Sequence, residues 1–345
     1  MIAAVSLMRS PCVALLYKGI ARFMDIILHV GAHRTGSTSF QHYLRGNRAR
    51  LAADGTAVWE PRELRRGLLD GLFTSPRMQN GRNLHRRAVG RVRLKVAQVE
   101  RTDAQRLLIS EENIIGAPRA CLRAGTMYPA IGERMARLET AFDGRISRVV
   151  MCVRVQDLWW SSVAAFSVAR GHAMPDAARF DAIATAQRTW RDVITDLACA
   201  LPQVELKILP FEQYAGQFDK VLTQATGRPA PSEGAESWLN RSLDADRLRA
   251  KLKDFGVAAD GLPTHLAEGE GRWKPFSDEQ TAELREAHAD DMMWLAAGAD
   301  GLATLTEDPS RTRANLSLPS GVLEKGQSHD QEPNDRVKGR LAQTG

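Results

Sequence analysis

The stretch His29-Val30-Gly31-Ala32-His33-Arg34-Thr35-Gly36-Ser37-Thr38-Ser39-Phe40-Gln41 gathers small, hydroxyl and basic residues into one short run. It follows an apolar run over 26–30 and leads into a helix-like pattern. Backbone N–H groups at such a helix start converge on an anion, and the helix dipole adds to the attraction. Gly36 lets the chain pass close to phosphate oxygens, while Ser37 and Thr38 supply hydroxyl donors. His33, Arg34 and Thr35 complete a polar loop. The chemistry this pattern supports is capture of a phosphate ester.

Two further groups sit where a sheet would bring them to the same place. Arg154 ends a β-rich run over 147–153, and Ser162 follows eight residues later in a helix-like stretch. Strand ends of a parallel sheet face the ligand crevice, and an arginine there grips phosphate through fork-like hydrogen bonds. Glu111 and Glu112 follow the apolar run 107–109. Successive strand residues point to opposite faces, so at most one of these acids enters the site and the other is expected to be exposed. His33 and His29 are rival bases, although a histidine inside a strand reads as a satisfied buried one.

The spacing from Gly31 to Gly36 equals that of a Walker A loop, G-x-x-x-x-G-K-[ST], but Ser37 stands at the lysine position. Nucleoside triphosphate hydrolysis needs that lysine, and usually a metal-binding acid. The basic residue is Arg34 instead, two positions before the second glycine. A P-loop nucleotide kinase or NTPase is therefore the alternative reading.

The segment His33-Arg34-Thr35-Gly36-Ser37-Thr38 resembles the 5′-phosphosulfate loop of sulfotransferases that use 3′-phosphoadenosine 5′-phosphosulfate (PAPS). The usual form of that loop is Lys-x-Gly-[Ser/Thr]-[Ser/Thr], and the fuller run to Gln41 is similar to loops of bacterial sulfotransferase-like proteins. Arg154 and Ser162 match the family's 3′-phosphate pair at the same interval. Leu206–Glu212, Asn240-Arg241-Ser242-Leu243 and Gly271–Ser277 give looser matches, the last offering Arg272 and Lys274 as a basic loop over the 3′-phosphate. The resemblance covers roughly residues 25–300.

The resemblance implies a three-layer α/β/α fold with a central parallel sheet and a P-loop-like strand–loop–helix. It implies PAPS as co-substrate, no metal, and a hydroxyl or amine acceptor; the basic stretch from Arg62 to Lys95, between the loop and Glu112, adds a mild preference for an anionic saccharide. Arg34 takes the place of the family's loop lysine and would stabilise charge at the bridging oxygen. Ser110 and Glu112 match the Ser-x-Glu of bacterial relatives, which makes Glu112 the expected general base. The aromatic residue that stacks on adenine in the cytosolic branch is replaced by Ser39, with Phe40 next. A relative that binds nucleotide or glycan without catalysis is the remaining alternative.

The elements that must position these groups are legible in outline. Strands are predicted over 26–30, 57–59, 107–109, 147–153 and 204–209. Helices are predicted over 39–51, 82–101, 135–142, 156–169, 180–200, 211–226, 245–255 and 278–296, with Gly171 stopping the fourth. Strands alternating with helices argue for a parallel sheet covered on both faces. Residues 1–23 are expected to lie outside the fold as an extension, 24–306 to form the α/β domain, and 307–345 to be a disordered tail.

Composition narrows the partners. Cys12, Cys121, Cys152 and Cys199 show no metal-ligand spacing and no disulfide framework, which fits a cytoplasmic setting. Cys152 and Cys199 read as small core residues. The net charge of +6 is concentrated in Arg62, Arg65, Arg66, Arg77, Arg82, Arg86, Arg87, Arg91, Arg93 and Lys95. A run of that kind reads first as a solvated helix face, and its poverty in aromatic residues weakens a nucleic-acid reading. Arg9, Pro11 and Lys18 interrupt the N-terminal apolar stretch, so no membrane span is expected.

Overall fold

The computed structural model describes residues 24–73, 83–258 and 261–307. The expected extension over 1–23 and the expected tail beyond Glu307 lie outside the described residues. Six parallel strands form one sheet: β1 (Asp25–His29), β2 (Thr56–Trp59), β3 (Arg106–Ser110), β4 (Ile146–Val153), β5 (Glu205–Pro210) and β6 (Thr304–Leu305). Their order is β2-β3-β1-β4-β5-β6.

The strands read as continuous apolar runs because both faces are covered. Ile26, Leu28 and Val30 of β1 and its extension join one core, with Leu107, Ile109, Val149, Met151 and Val153. Ile27, Leu108, Val150 and Cys152 point to the other. This alternation, with its period of two, sets the three layers.

On the first face lie α4 (Leu84–Glu100), α6 (Ile131–Phe142), α7 (Gln156–Val168) and α9 (Trp190–Ala200). On the second lie α1 (Ser37–Gly46) and α11 (Phe218–Thr226), through Phe40, Tyr43, Leu44, Val221 and Leu222. The short helices α2 (Arg48–Ala53), α3 (Pro61–Leu64) and α5 (Pro118–Ala124) fill connections between strands. The α/β architecture with a central parallel sheet is as the sequence implied.

Helix α7 is buried nearly all round, with Trp159 and Trp160 in the core. Helix α14 (Asp278–Ala296) packs across it. The buried Asp291 of α14 accepts from Trp190 N, Arg191 N, Thr189 Oγ1 and Gln156 Nε2 at 3.0, 3.1, 2.6 and 2.9 Å. One carboxylate thus caps α9 and fixes the start of α7, which carries Ser162.

Three expectations are corrected. The predicted helix 180–200 is two, α8 (Ala177–Ala184) and α9, because Thr189 and Asp192 form a capping box that starts a new helix. The predicted helix 211–226 is likewise α10 (Phe211–Tyr214) and α11, broken at Gly216, whose φ is 73°. Cys199 is exposed rather than in the core. It lies near the end of α9, on the face turned from the packed residues Ile194 and Leu197. Among the described residues no helix is long and apolar enough to cross a membrane.

Candidate functional site

The chain order reverses at β1, which has β3 on one side and β4 on the other. Ligands of open α/β sheets bind outside the carboxyl ends of strands at such a point. The three strand ends here lead into Gly31–Gly36, Glu111–Glu112 and Arg154. The sheet therefore brings the three groups singled out in the sequence to one crevice.

The loop after β1 keeps contact with β4 for two more residues, through Val30 N to Val150 O and Ala32 N to Cys152 O, both 3.0 Å. It then turns into α1 by way of positive φ angles at Arg34 (67°) and Gly36 (81°). Helix α1 has no side-chain cap and no acid in its first turn. Its first N–H groups therefore have no intrahelical acceptor and carry the positive end of the dipole.

Ser37 lies at that helix start, is 6% exposed, and its Oγ has no hydrogen-bond partner among the described residues. A buried hydroxyl left unpaired costs free energy, which makes Ser37 the unsatisfied donor of the loop. Thr35 is buried with its Oγ1 donating to Ala32 O at 2.5 Å, and Thr38 is exposed.

His33 is locked. Its backbone N–H donates to Tyr128 Oη at 2.9 Å, its Nε2 faces Asn113 Oδ1 at 3.1 Å, and its Nδ1 faces Tyr128 Oη at 2.9 Å. The amide oxygen only accepts, so Nε2 donates and the neutral ring takes the tyrosine proton at Nδ1. Burial, the largest influence, lowers the His33 pKa, and Arg65 and Arg34 lower it further against the opposite pull of Asn113 and Glu112. No lone pair is left for an acceptor proton. His29 is buried beside Ser110 Oγ at 3.0 Å, and burial lowers it to about 4. It is the satisfied core histidine the sequence suggested.

Arg34 and Arg154 are adjacent. Arg34 Nε donates to Ser162 Oγ at 3.0 Å, and its Nη2 donates to Asn240 O at 2.9 Å and Ser242 Oγ at 3.2 Å. The Ser162 and Ser242 hydroxyls are also hydrogen-bonded to each other. None of the Arg34 side-chain bonds returns to the loop, so its contacts point to the Ser162 side of the crevice.

Arg154 Nη1 donates to Arg34 O at 3.0 Å, its guanidinium lies over the Phe211 ring at 4.9 Å, and its Nε has no hydrogen bond. Glu212 is its ion-pair partner at 3.9 Å. Burial lowers both arginines to about 10, with Arg170 adding to the effect at Arg34, and Arg272 and Arg34 at Arg154. Both stay charged at neutral pH. Arg154 and Ser162 thus share one cluster, but Arg34 stands between them.

Two tryptophans hold this geometry from beneath: Trp159 Nε1 donates to His33 O at 2.7 Å and Trp190 Nε1 to Arg154 O at 2.8 Å. Arg272 is exposed and pairs by its backbone with Asp244, near enough to Arg154 and Glu212 to act on both charges. Lys274 is exposed, and none of the contacts that tie the site together involves it.

At the end of β3 one expectation is overturned. Glu111 is buried, 2% exposed, where the strand alternation predicted exposure. The strand has ended at Ser110, and Glu111 caps a 3-10 turn (Glu112–Ile115) while gripping Arg65 through two bonds of 2.7 Å. Glu112 is the half-buried acid, taking Gln41 Nε2 at 2.8 Å and Arg65 Nη2 at 3.0 Å. Burial pushes the Glu112 carboxyl up. Its backbone hydrogen bond, His33, Gln41 and Arg65 outweigh that, and its pKa is lowered overall.

Sequence reasoning assigned no role to Gln41, Arg65, Tyr128, Ser242 or Glu212. Gln41, Ser242 and Glu212 stood inside segments that carried the resemblance, whereas Tyr128 had no signal. Arg65 was hidden in the basic run. No family model, curated protein or solved structure matches the chain, so the residues themselves carry the functional reading.

Proposed function

We propose that this chain transfers a sulfuryl group from PAPS to a hydroxyl or amine acceptor. One observation supports the reading: two sets of hydrogen-bond donors suited to anions lie at neighbouring strand ends of the sheet. One is the uncapped start of α1 with the unpartnered Ser37 Oγ, and the other is the arginine cluster Arg34–Arg154 with Ser162. A nucleotide with phosphate groups on both its 5′ and 3′ positions meets that pair of demands, and ATP does not.

In this reading the loop from His33 to Thr38 holds the 5′-phosphosulfate. Arg154 and Ser162 hold the 3′-phosphate, and Arg272 and Lys274 close over it. The acceptor O–H or N–H gives its proton to Glu112 while its oxygen or nitrogen bonds to sulfur. The bond from sulfur to the bridging oxygen breaks, and 3′-phosphoadenosine 5′-phosphate leaves with that electron pair. The leaving group is a phosphate and needs charge stabilisation more than a proton. The contacts of Arg34 favour the 3′-phosphate end as its place of action, a departure from the bridging-oxygen role the resemblance implies.

The test is calorimetric binding of 3′-phosphoadenosine 5′-phosphate, against ATP with magnesium, followed by transfer assays over an acceptor panel. Selective binding of the bisphosphate with sulfate transfer is expected. Preference for ATP with magnesium would replace the reading by a kinase-type one, and binding without transfer would reduce it to a nucleotide-binding relative.

A further inference from the structure

One guanidinium reaches both acids at the end of β3. Arg65 follows α3 directly, and its Nε and Nη2 donate to Glu111 Oε2 and Oε1 at 2.7 Å each. The same Nη2 reaches Glu112 Oε1 at 3.0 Å. Glu111 is itself fixed, because its Oε1 accepts from Asn113 N at 2.9 Å. From the other side Gln41, on the helix that begins at the loop, donates to Glu112 Oε2 at 2.8 Å and to Ser110 O at 3.4 Å. Each Glu112 oxygen thus has one donor and keeps lone-pair capacity for one more.

We propose that Arg65 is the positioning residue for Glu112: anchored on Glu111, it holds the Glu112 carboxylate paired and in one orientation toward the acceptor. The inference rests on the sulfotransferase reading only for the proton that Glu112 receives. The clamp itself rests on contacts.

A planar fork that binds one carboxylate through two parallel bonds and still reaches a second is a property of arginine and not of lysine. Its two acid partners follow the end of β3 and lie 46 and 47 residues further along the chain. Other groups whose charge acts on or is felt by Glu112 are His33 and His29 from β1 and its loop, and the Tyr128 phenol, with Glu111 as its neighbour in sequence. Burial lowers both histidines and raises the tyrosine, and His33 joins Arg65 in pulling Glu112 down. Arg65 is the cation in contact with Glu112.

The experiment uses the full chain labelled with glutamate carrying carbon-13 at the side-chain carboxyl. The Glu112 signal is assigned by its loss in Glu112→Gln. In the wild type it should titrate below the ordinary 4.5. In Arg65→Gln it should move up, the direction expected on losing a neighbouring opposite charge. Arg65→Lys, which keeps the charge and loses the fork, should give a smaller upward move.

In transfer assays the acid limb of the kcat profile should move in step, while affinity for 3′-phosphoadenosine 5′-phosphate is unchanged. An unmoved Glu112 titration in folded Arg65→Gln overturns the proposal. If that variant does not fold, a titration in Arg65→Lys identical to the wild type overturns it. A shifted titration in a protein with no sulfate transfer upholds the clamp and removes the sulfotransferase reading.

Discussion

Arg154 Nη1 donates to the main-chain carbonyl of Arg34 at 3.0 Å, so the arginine at the end of β4 braces the loop after β1 from across the crevice. Arg34 needs that brace. Its φ of 67° lies in the left-handed region, which costs a residue with a Cβ about 1–2 kcal/mol. In the proposed function, donor binding and loop conformation therefore share one side chain.

Replacing Arg154 should act twice. Arg154→Ala removes a charge-assisted donor to phosphate, worth about 1.5–3 kcal/mol, or roughly a 10- to 100-fold loss of affinity. It also frees the Arg34 carbonyl and lowers the melting temperature. Arg154→Lys keeps the charge but cannot reach the carbonyl and a phosphate with the same fork, so it should fall between the two. Calorimetry with 3′-phosphoadenosine 5′-phosphate and thermal melting of the three proteins measure both effects.

Gly31 is the second tight point in the loop. Its φ is 26°, and a Cβ placed there would lie 2.7 Å from Ser37 Oγ. Gly31→Ala should therefore displace the buried, unpartnered Ser37 hydroxyl, costing about 1–3 kcal/mol of stability by overpacking. Adding Ser37→Ala removes the obstructing oxygen and should restore part of the stability without restoring nucleotide affinity. Recovery of both in the double variant would take Ser37 out of the donor site.

Much of this fold was legible because β1, β3, β4 and β5 each carry a short, largely buried apolar run. The helix boundaries were less so. The break before Trp190 was written in Thr189 and Asp192, a capping signal outweighed by apolar spacing that continues across it. The loop and Arg154 were legible because each is local in sequence. The acid clamp was not: Arg65 and Glu111 are 46 residues apart, and no periodicity predicts that the chain turns after Ser110 so as to bury Glu111. Likewise Arg34 reaches Ser242 across 208 residues, a contact only the tertiary structure supplies.

The two acids at the end of β3 should separate cleanly. Glu112→Gln keeps one acceptor oxygen, enough for Arg65 or Gln41 but not for both, and no longer takes a proton. Transfer should be lost while 3′-phosphoadenosine 5′-phosphate binds as before. Glu111→Gln leaves Arg65 without its anchor in a buried setting, where breaking an ion pair costs about 3–5 kcal/mol, discounted here because Arg65 is half exposed. It should lower the melting temperature first and activity second. Retained transfer in Glu112→Gln would remove Glu112 from the reaction.

His29 makes the fold sensitive to acid in a predictable direction. Its ring is buried against Phe40 with Nδ1 at Ser110 Oγ, and burial lowers its pKa from 6.5 to about 4, against a weaker upward pull from Glu112. A folded-state value below the unfolded one means that the unfolded chain binds a proton first as pH falls. The contribution is therefore complete above pH 6.5, declines between 6.5 and about 4, and is gone below that. At roughly 1.4 kcal/mol per pH unit the loss from this one site is at most about 3.5 kcal/mol. His29→Asn keeps a polar side chain at Ser110 and does not titrate. It should start less stable at neutral pH yet lose less on acidification, so the two stability curves converge toward pH 4. Denaturant titrations at half-unit intervals between pH 7 and pH 4 read the difference, and parallel curves would mean that His29 is not the group responsible.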